Sequence, residues 1–164
     1  MDPVIRDLVS AYSLAPHPEG GFYKESYRSA DSFTPAGFAG ARSFSTAIYF
    51  LLPQGTRSRL HRIRADEVWH FYLGGPLSVV EITPEGNTLK TVLGPDLKGG
   101  QKLQHVVPAG HWFGSYPEPN SQFSFVGCTV APGFDFADFE LGKRSDLLAL
   151  FPDAAPEILR LTDP

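Results

Sequence analysis

The sequence predicts an all-β protein with one helix at its N-terminus. Short segments rich in β-branched and aromatic residues follow one another along most of the chain, and Gly, Pro or Asn separates them. The 16 Gly and 15 Pro residues of the 164 are typical of many tight turns between short elements. Since strands without intervening helices pair antiparallel, we expect a sandwich or a barrel.

The first predicted element is a helix over about residues 3–13. Asp2 is a favourable N-cap, and Pro3 suits the first helical position. Apolar residues then recur at helical spacing, at Ile5, Leu8, Val9 and Tyr12. The segment APHPEGG ends this pattern, and the helix is expected to stop before it.

Eight strands are predicted after the helix, with a hairpin loop at 83–87. They are Phe22–Arg28, Phe44–Leu52, Glu67–Leu73, Leu77–Thr83, Thr88–Leu93, Leu103–Val107, Trp112–Tyr116 and Phe123–Val130. The β region thus extends over about residues 20–142, and a short helical tail is expected at 145–162. We expect a single domain over residues 1–164, because neither a repeat nor a linker interrupts the pattern.

The composition argues against several classes of function. The net charge is −4 and no block of Lys and Arg stands out, so a nucleic-acid partner is not expected. No apolar run is long enough for a membrane span, and the N-terminus does not resemble a signal peptide. Cys128 is the single cysteine, so no internal disulfide forms and a cytoplasmic location is the expectation.

The segment GTRSRLHRIRADEVWHFYLG, residues 55–74, contains the strongest candidates for chemistry. Strand alternation places Glu67 on the more apolar face, which we expect to point inwards. A carboxylate there needs a partner or has a raised pKa, and His61 across a short turn is the expected partner. His70 faces the other way on strict alternation, and only a bulge or a position at the rim would bring it into the site.

Residues 55–74 resemble the first motif of the cupin superfamily, G-x5-H-x-H-x3-E-x6-G, with Ile63 at the second histidine. PHPEGGFYKESYRS and GCTVAPGFDFADFELG further resemble one cupin family of unknown function. The resemblance covers almost the whole chain. It implies a double-stranded β-helix, or jelly roll, that assembles as a homodimer, and it implies no particular activity.

The usual set of cupin metal ligands is incomplete in this sequence. In the second motif, G-x5-P-x-G-x2-H-x3-N, Phe113 stands at the histidine position. Neither Ile63 nor Phe113 can bind a metal, so no cofactor is favoured. One alternative remains, in which His61, Glu67 and His111 form a two-histidine, one-carboxylate set for a divalent metal.

Further residues are candidates for substrate binding. Arg28 could hold an anionic group, although alternation along its strand groups it with Lys24 and Ser26, opposite Tyr23 and Glu25. Tyr49, Trp69, Phe71 and Trp112 could stack on a ring, and aromatic core packing explains them equally well. The alternating aromatic and acidic segment 132–140 is expected to form a sheet edge or a dimer contact.

The leading functional hypothesis is a small-molecule site inside the barrel that performs acid–base chemistry without a metal, as in a sugar epimerase or isomerase. In this hypothesis His61 is the base, Glu67 orients it or acts as acid, and a His61→Ala change abolishes activity. Two alternatives stay open: a binding module without chemistry, and a metal-dependent oxygenase or lyase.

Overall fold

Two antiparallel sheets face each other and enclose the main core. The structure, a computed structural model, describes all residues from Met1 to Pro164. One sheet has the strand order β1-β2-β5-β12-β7-β10 and the other the order β13-β6-β11-β8-β9, while β3 and β4 form a separate pair. The strands are β1 (Ala15–Pro16), β2 (Phe22–Arg28), β3 (Ser32–Phe33), β4 (Arg42–Ser43), β5 (Thr46–Pro53), β6 (Ser58–Arg62), β7 (Asp66–Gly74), β8 (Leu77–Ile82), β9 (Thr88–Leu93), β10 (Gln104–Val107), β11 (Trp112–Pro117), β12 (Phe123–Ala131) and β13 (Glu140–Leu141).

The all-β prediction with an N-terminal helix is confirmed. Helix α1 (Pro3–Ala11) begins after Asp2, whose Oδ1 accepts a hydrogen bond from the backbone N–H of Val4 at 2.8 Å. It ends two residues earlier than predicted. Its buried residue Ile5 packs on Leu51 and Phe125, so α1 covers the outer face of the six-stranded sheet.

Two short helices cover the outer face of the five-stranded sheet. They are α2 (Arg144–Leu150) and α3 (Ala155–Leu161), within the predicted helical tail. Leu147 and Leu161 pack there against Trp112 of β11. None of the helices is long and apolar enough to cross a membrane.

The space between the sheets is filled by large apolar side chains, including Phe50, Trp69, Val79 and Phe113. Leu60 and Trp112 neighbour inward-facing residues in sequence and instead point outwards, onto the C-terminal helices. This alternation places His61 and Glu67 on the inner faces of β6 and β7. The inner space therefore contains both the apolar core and the polar residues of the candidate site.

Two β-bulges change which residues face inwards. In β2, Glu25 pairs with Ile48 and Tyr27 with Ala47, so Ser26 is an extra residue and Arg28 points to the same side as Glu25. The predicted grouping of Arg28 with Lys24 is therefore wrong.

The second bulge lies in β7. Phe71 pairs with Val126 and Leu73 with Phe125, which makes Tyr72 the extra residue. Leu73, predicted to face the barrel interior with Glu67, accordingly lies on the outer face and is 52% exposed.

Candidate functional site

A cavity of about 410 Å³ opens between the two sheets, next to the apolar core. Side chains of β2, β5, β6, β7 and β12 form its walls, and the segment 134–139 covers its mouth. The lining residues are His17, Glu19, Tyr23, Glu25, Arg28, Thr46, Ile48, His61, Ile63, Glu67, Cys128, Val130, Phe134, Asp135, Phe136 and Phe139.

Glu19 reaches the cavity from the turn before β2, which two glycines allow to lie close to the strands. Gly20 and Gly21 have φ of 116° and 75°, values that favour glycine. A Cβ at Gly20 would overlap the carbonyl oxygen of Arg57, and one at Gly21 would lie 2.7 Å from that of Leu51. The turn can therefore pack against β5 and β6 and present Glu19 to His61.

His61 forms a buried ion pair with Glu19. Its Nε2 lies 2.7 Å from Glu19 Oε2, and its Nδ1 lies 2.7 Å from the carbonyl oxygen of Arg59. Since both ring nitrogens face acceptors, both carry protons and the ring is an imidazolium. Burial alone would lower the pKa of His61, but the charge and hydrogen bond of Glu19 raise it. His61 therefore has no free nitrogen with which to act as the predicted base.

The pKa of Glu19 is lowered, whereas that of His61 is raised. Burial alone would raise it, yet the charge and hydrogen bond of His61 hold the pKa of Glu19 below its usual value. The two groups are thus a paired cation and anion on the cavity wall.

His17 lines the same cavity as a neutral imidazole. Its Nδ1 accepts a hydrogen bond from the backbone N–H of Glu19 at 3.1 Å, which leaves the proton on Nε2. Burial lowers the pKa of His17, in agreement with the neutral form. Its ring packs edge-on against Tyr23, with the centroids 4.4 Å apart. His17 therefore offers the cavity one N–H donor.

Glu67 lines the cavity with a strongly altered pKa. Burial raises its pKa to about 7, and the charge of His61 opposes this shift without cancelling it. The nearby Cys128 thiol and Trp69 indole favour the charged form only weakly, and the buried Nε1 of Trp69 has no hydrogen-bond partner. Glu67 is 9% exposed and forms no salt bridge, so its partner is not the predicted His61.

Arg28 holds the segment that covers the mouth. Its guanidinium bonds to Glu25, with 2.6 Å between Nη2 and Oε1, and Nη2 also donates to the carbonyl oxygen of Phe134 at 3.0 Å. The backbone N–H of Phe134 donates to Thr46 Oγ1 at 2.9 Å. Arg28 thus lies at the cavity with two of its three nitrogens engaged within the protein.

The segment 132–140 was expected at a sheet edge or a dimer contact. Glu140 begins β13 at the edge of the five-stranded sheet, and the cavity is lined by Phe134, Asp135, Phe136 and Phe139. A single 3-10 turn, Phe136–Asp138, forms here, with Asp135 Oδ1 accepting from the backbone N–H of Ala137 at 2.8 Å. Asp138 anchors the turn through a buried ion pair with Arg42, 2.8 Å between Oδ1 and Nη2. Phe134, Asp135 and Phe136 all lie at the mouth of the cavity.

Four aromatic residues predicted to bind substrate lie outside the cavity lining. Tyr49 packs against Tyr12 and Phe125 on the outer face under α1. Trp112 lies on the outer face of the other sheet, 4.6 Å below the guanidinium of Arg62. Trp69 and Phe71 face inwards as parts of the apolar core. Core packing, the alternative considered for all four, is what the structure gives them.

His70 also lies away from the cavity. Its Nε2 is 2.9 Å from Thr129 Oγ1, and its Nδ1 is 3.2 Å from Nε2 of Gln104. The bulge in β7 occurs at Tyr72, after His70, so it does not turn this side chain inwards. The structure therefore does not bring His70, predicted as a catalytic group, into the cavity lining.

His111 belongs to a second polar cluster, formed with Glu81 and His105. The Oε1 of Glu81 lies 2.9 Å from Nδ1 of His111, and its Oε2 lies 2.6 Å from Nε2 of His105. Burial alone would raise the pKa of Glu81, but these two hydrogen bonds lower it. Because His111 is held by Glu81, the alternative metal set of His61, Glu67 and His111 is not brought together.

Comparison with known proteins identifies the family. Residues 6–142 match the family model described as Cupin superfamily (DUF985). The chain belongs to this family. It is 31% identical over 169 residues to the uncharacterised protein YML079W of Saccharomyces cerevisiae, covering 94% of this chain and 84% of the relative.

Two solved structures are similar over nearly the full length. Protein SO0799 from Shewanella oneidensis is 42% identical, with a TM-score of 0.88 over 96% of both chains. A hypothetical protein from Leishmania major is 32% identical, with a TM-score of 0.91 over 97% of this chain and 98% of its own. The resemblance drawn from the sequence motifs is thereby confirmed at the level of family and jelly-roll fold.

The residues at the usual cupin ligand positions do not fit a metal ion. Ile63 and Phe113 supply no donor atom, and both nitrogens of His61 already face acceptors. No group of three or more His, Cys, Asp or Glu side chains is placed to hold a metal.

Sequence reasoning missed Glu19, His17 and the mouth segment. Glu19 is 42 positions from His61, and strand periodicity says nothing about a turn that precedes the first long strand. The signal that could have found it is the pair of glycines after the acid, in HPEGG, which indicates a backbone packed closely against its neighbours.

Proposed function

We propose that this cupin catalyses proton transfer at a carbon next to a carbonyl group, in a small molecule bound in the cavity, with Glu67 as the general base and no metal. The observation that carries the proposal is a buried carboxyl group that lines a cavity and has a pKa of about 7. A base with this pKa is half ionised at neutral pH, where it accepts a proton and returns it with similar ease.

The proposed step balances without a further reactant. The Glu67 carboxylate takes the proton as the C–H bond breaks, and the electron pair of that bond moves into an enolate. For an epimer, the carboxylic acid returns the proton to the opposite face of the same carbon, after the enolate has turned over in the cavity. For an isomer, it returns the proton to the former carbonyl carbon, and the proton of the neighbouring hydroxyl group moves to the former carbonyl oxygen. The product is an epimer or an isomer, as expected for a cupin acting on a sugar.

The neighbouring residues receive defined roles in this proposal. The neutral His17 would donate its Nε2–H to the enolate oxygen, in the way that preorganised donors stabilise developing charge. The ion pair of His61 and Glu19 would tune Glu67, since the charge of His61 lowers its pKa and that of Glu19 raises it. His61 is therefore a positioning and tuning residue here and not the base.

Deuterium exchange tests the proposal without knowledge of the natural substrate. D-Glucose, D-glucosamine and D-glucuronate, which are uncharged, cationic and anionic, are incubated with the protein in D2O, and loss of the C2 proton signal is followed by NMR. We expect the protein to accelerate exchange of at least one sugar. A Glu67→Gln change is expected to slow that exchange by at least about 100-fold, the usual contribution of a general base.

Glu81→Gln is the matched control, because it neutralises another buried glutamate that does not line the cavity. It is expected to keep the exchange rate while the protein remains folded. Exchange at the buffer rate with all three sugars, or equal loss in both variants, would contradict the proposal. Saturable binding without exchange would favour the binding module.

A further inference from the structure

More carboxyl groups than cations line the cavity. Four carboxyl groups are present, Glu19, Glu25, Glu67 and Asp135, against two cations, His61 and Arg28. His17 adds no charge in its neutral form. The cavity is thus negative overall once Glu67 is ionised.

Each cation already has a carboxylate of its own. His61 is 2.7 Å from Glu19, and Arg28 bonds to Glu25 through both Nε and Nη2. Only Nη1 of Arg28 makes no hydrogen bond within the protein. The role first predicted for Arg28, holding an anionic group, therefore conflicts with its position as the clamp of Phe134.

Two of the acids are not paired with a cation in a salt bridge. Asp135 lies at the mouth in the field of Arg42, whose guanidinium is paired with Asp138, and Glu67 is more than nine-tenths buried inside the cavity. A buried carboxylate without a partner is costly, so a ligand that supplies positive charge would relieve that cost. An anionic ligand would add to it.

The uncharged part of the wall suits the same type of ligand. Four aromatic rings, Tyr23, Phe134, Phe136 and Phe139, line the cavity, and Phe134 stands edge-on to Phe136 with 4.9 Å between centroids. Aromatic faces next to carboxylates bind organic cations through the ring quadrupole, which contributes about 0.5–2 kcal/mol per contact. Apolar packing alone would leave the unpaired acids unexplained.

We infer that the ligand of this cavity is a small organic cation, with its positive group held between Asp135 and the aromatic rings of the mouth. The inference names the substrate class for the proposed function, and it rests on the same cavity. It separates this site from one built to take a sugar carrying phosphate or carboxylate groups.

Binding of matched probes tests the inference without any chemical step. Choline, 3,3-dimethyl-1-butanol and 3,3-dimethylbutanoate have similar shapes and carry a positive, no and a negative charge. Their dissociation constants are measured by NMR titration at pH 8 and low salt. We expect choline to bind about tenfold more tightly than the alcohol, and the anion to bind more weakly than either.

Two variants test which residues cause the tighter binding of choline. Asp135→Asn keeps an acceptor for Ala137 N–H and removes the charge, so choline is expected to lose most of its advantage while the affinity of the alcohol stays the same. Phe136→Leu keeps apolar volume and removes a ring face, with the same expected direction. Glu85→Gln is the control, because it removes one exposed negative charge outside the cavity.

A choline affinity no higher than that of the alcohol, including no binding of any probe, would overturn the inference. Preference for 3,3-dimethylbutanoate would overturn it in favour of anion binding at Arg28. Because the probes have no reactive C–H, the result is independent of exchange at Glu67. Cation preference without sugar exchange would support the inference and contradict the proposed proton transfer. Sugar exchange without cation preference would support the proton transfer and contradict the inference.

Discussion

Glu67 and Glu81 are both buried on inward faces of the same sandwich, at 9% and 1% exposure, and they differ in their partners. Each oxygen of Glu81 lies within 3 Å of a histidine nitrogen, and the pKa of Glu81 is lowered. Glu67 has no such partner, and burial raises its pKa to about 7.

Burial alone therefore does not indicate that a carboxylate is reactive. Glu81 has the environment of a structural group, in which two hydrogen bonds satisfy a buried charge. Glu67 has the environment of a reactive group, because it faces open volume and titrates near neutral pH.

The largest effect is expected when each glutamate is replaced by leucine at pH 8. Glu81→Leu removes the acceptor that two histidines share, and the free energy of unfolding is expected to fall by about 3–5 kcal/mol. Glu67→Leu removes an unpaired buried carboxylate, so that free energy is expected to stay the same or rise. Chemical denaturation of both variants beside the wild type measures the contrast. Similar losses in the two variants would show that Glu67 is also a structural group.

The pH dependence of stability is the next largest effect. Glu67 has a folded pKa of about 7 against 4.5 for an ordinary glutamate, so the folded state binds more protons between these values. Stability therefore falls as the pH rises through this window, by about 3 kcal/mol from this group. Denaturation curves between pH 5 and 9 are expected to show this loss in the wild type and not in Glu67→Gln.

His61 also makes the protein less stable as the pH rises. Comparing the wild type with Glu67→Gln separates the contribution of His61 from that of Glu67. The pKa of His61 is raised in the folded state, so its contribution is complete below its ordinary value of 6.5 and disappears as the pH rises through the folded value. This loss is present in both proteins, and only the difference between their curves belongs to Glu67. Curves of equal slope would mean that Glu67 does not titrate near pH 7.

The all-β class and the N-terminal helix could be predicted from the sequence because they depend on local patterns, whereas the jelly roll was implied by the family resemblance. The Asp2–Pro3 start of α1, the alternation along β12 and the turn residues between strands each act over a few positions. The same kind of alternation placed Glu67 on an inward face. The bulges at Ser26 and Tyr72 could not be predicted, since one extra residue in a strand leaves no mark on composition.

The partners within the site were less predictable than its position. The pairing of Glu19 with His61 and that of Glu81 with His111 join residues 42 and 30 positions apart, in contacts that only the topology creates. The sequence pattern favoured Glu67, an acid six positions away, as the partner of His61. The structure shows that a more distant acid takes that place, which is the reason that Glu67 remains free.

The smallest effect is expected for His111→Gln, which tests whether the two glutamate sites are independent. The glutamine amide can still donate to Glu81, and His105 retains its own hydrogen bond, so the free energy of unfolding is expected to fall by less than about 1 kcal/mol. Sugar exchange at Glu67 is expected to be unchanged, because His111 is held by Glu81 and does not line the cavity. NMR exchange and denaturation of the same sample measure both quantities. If exchange fell more than tenfold while stability held, His111 would have to act with His61 and Glu67, and the metal-dependent alternative would return.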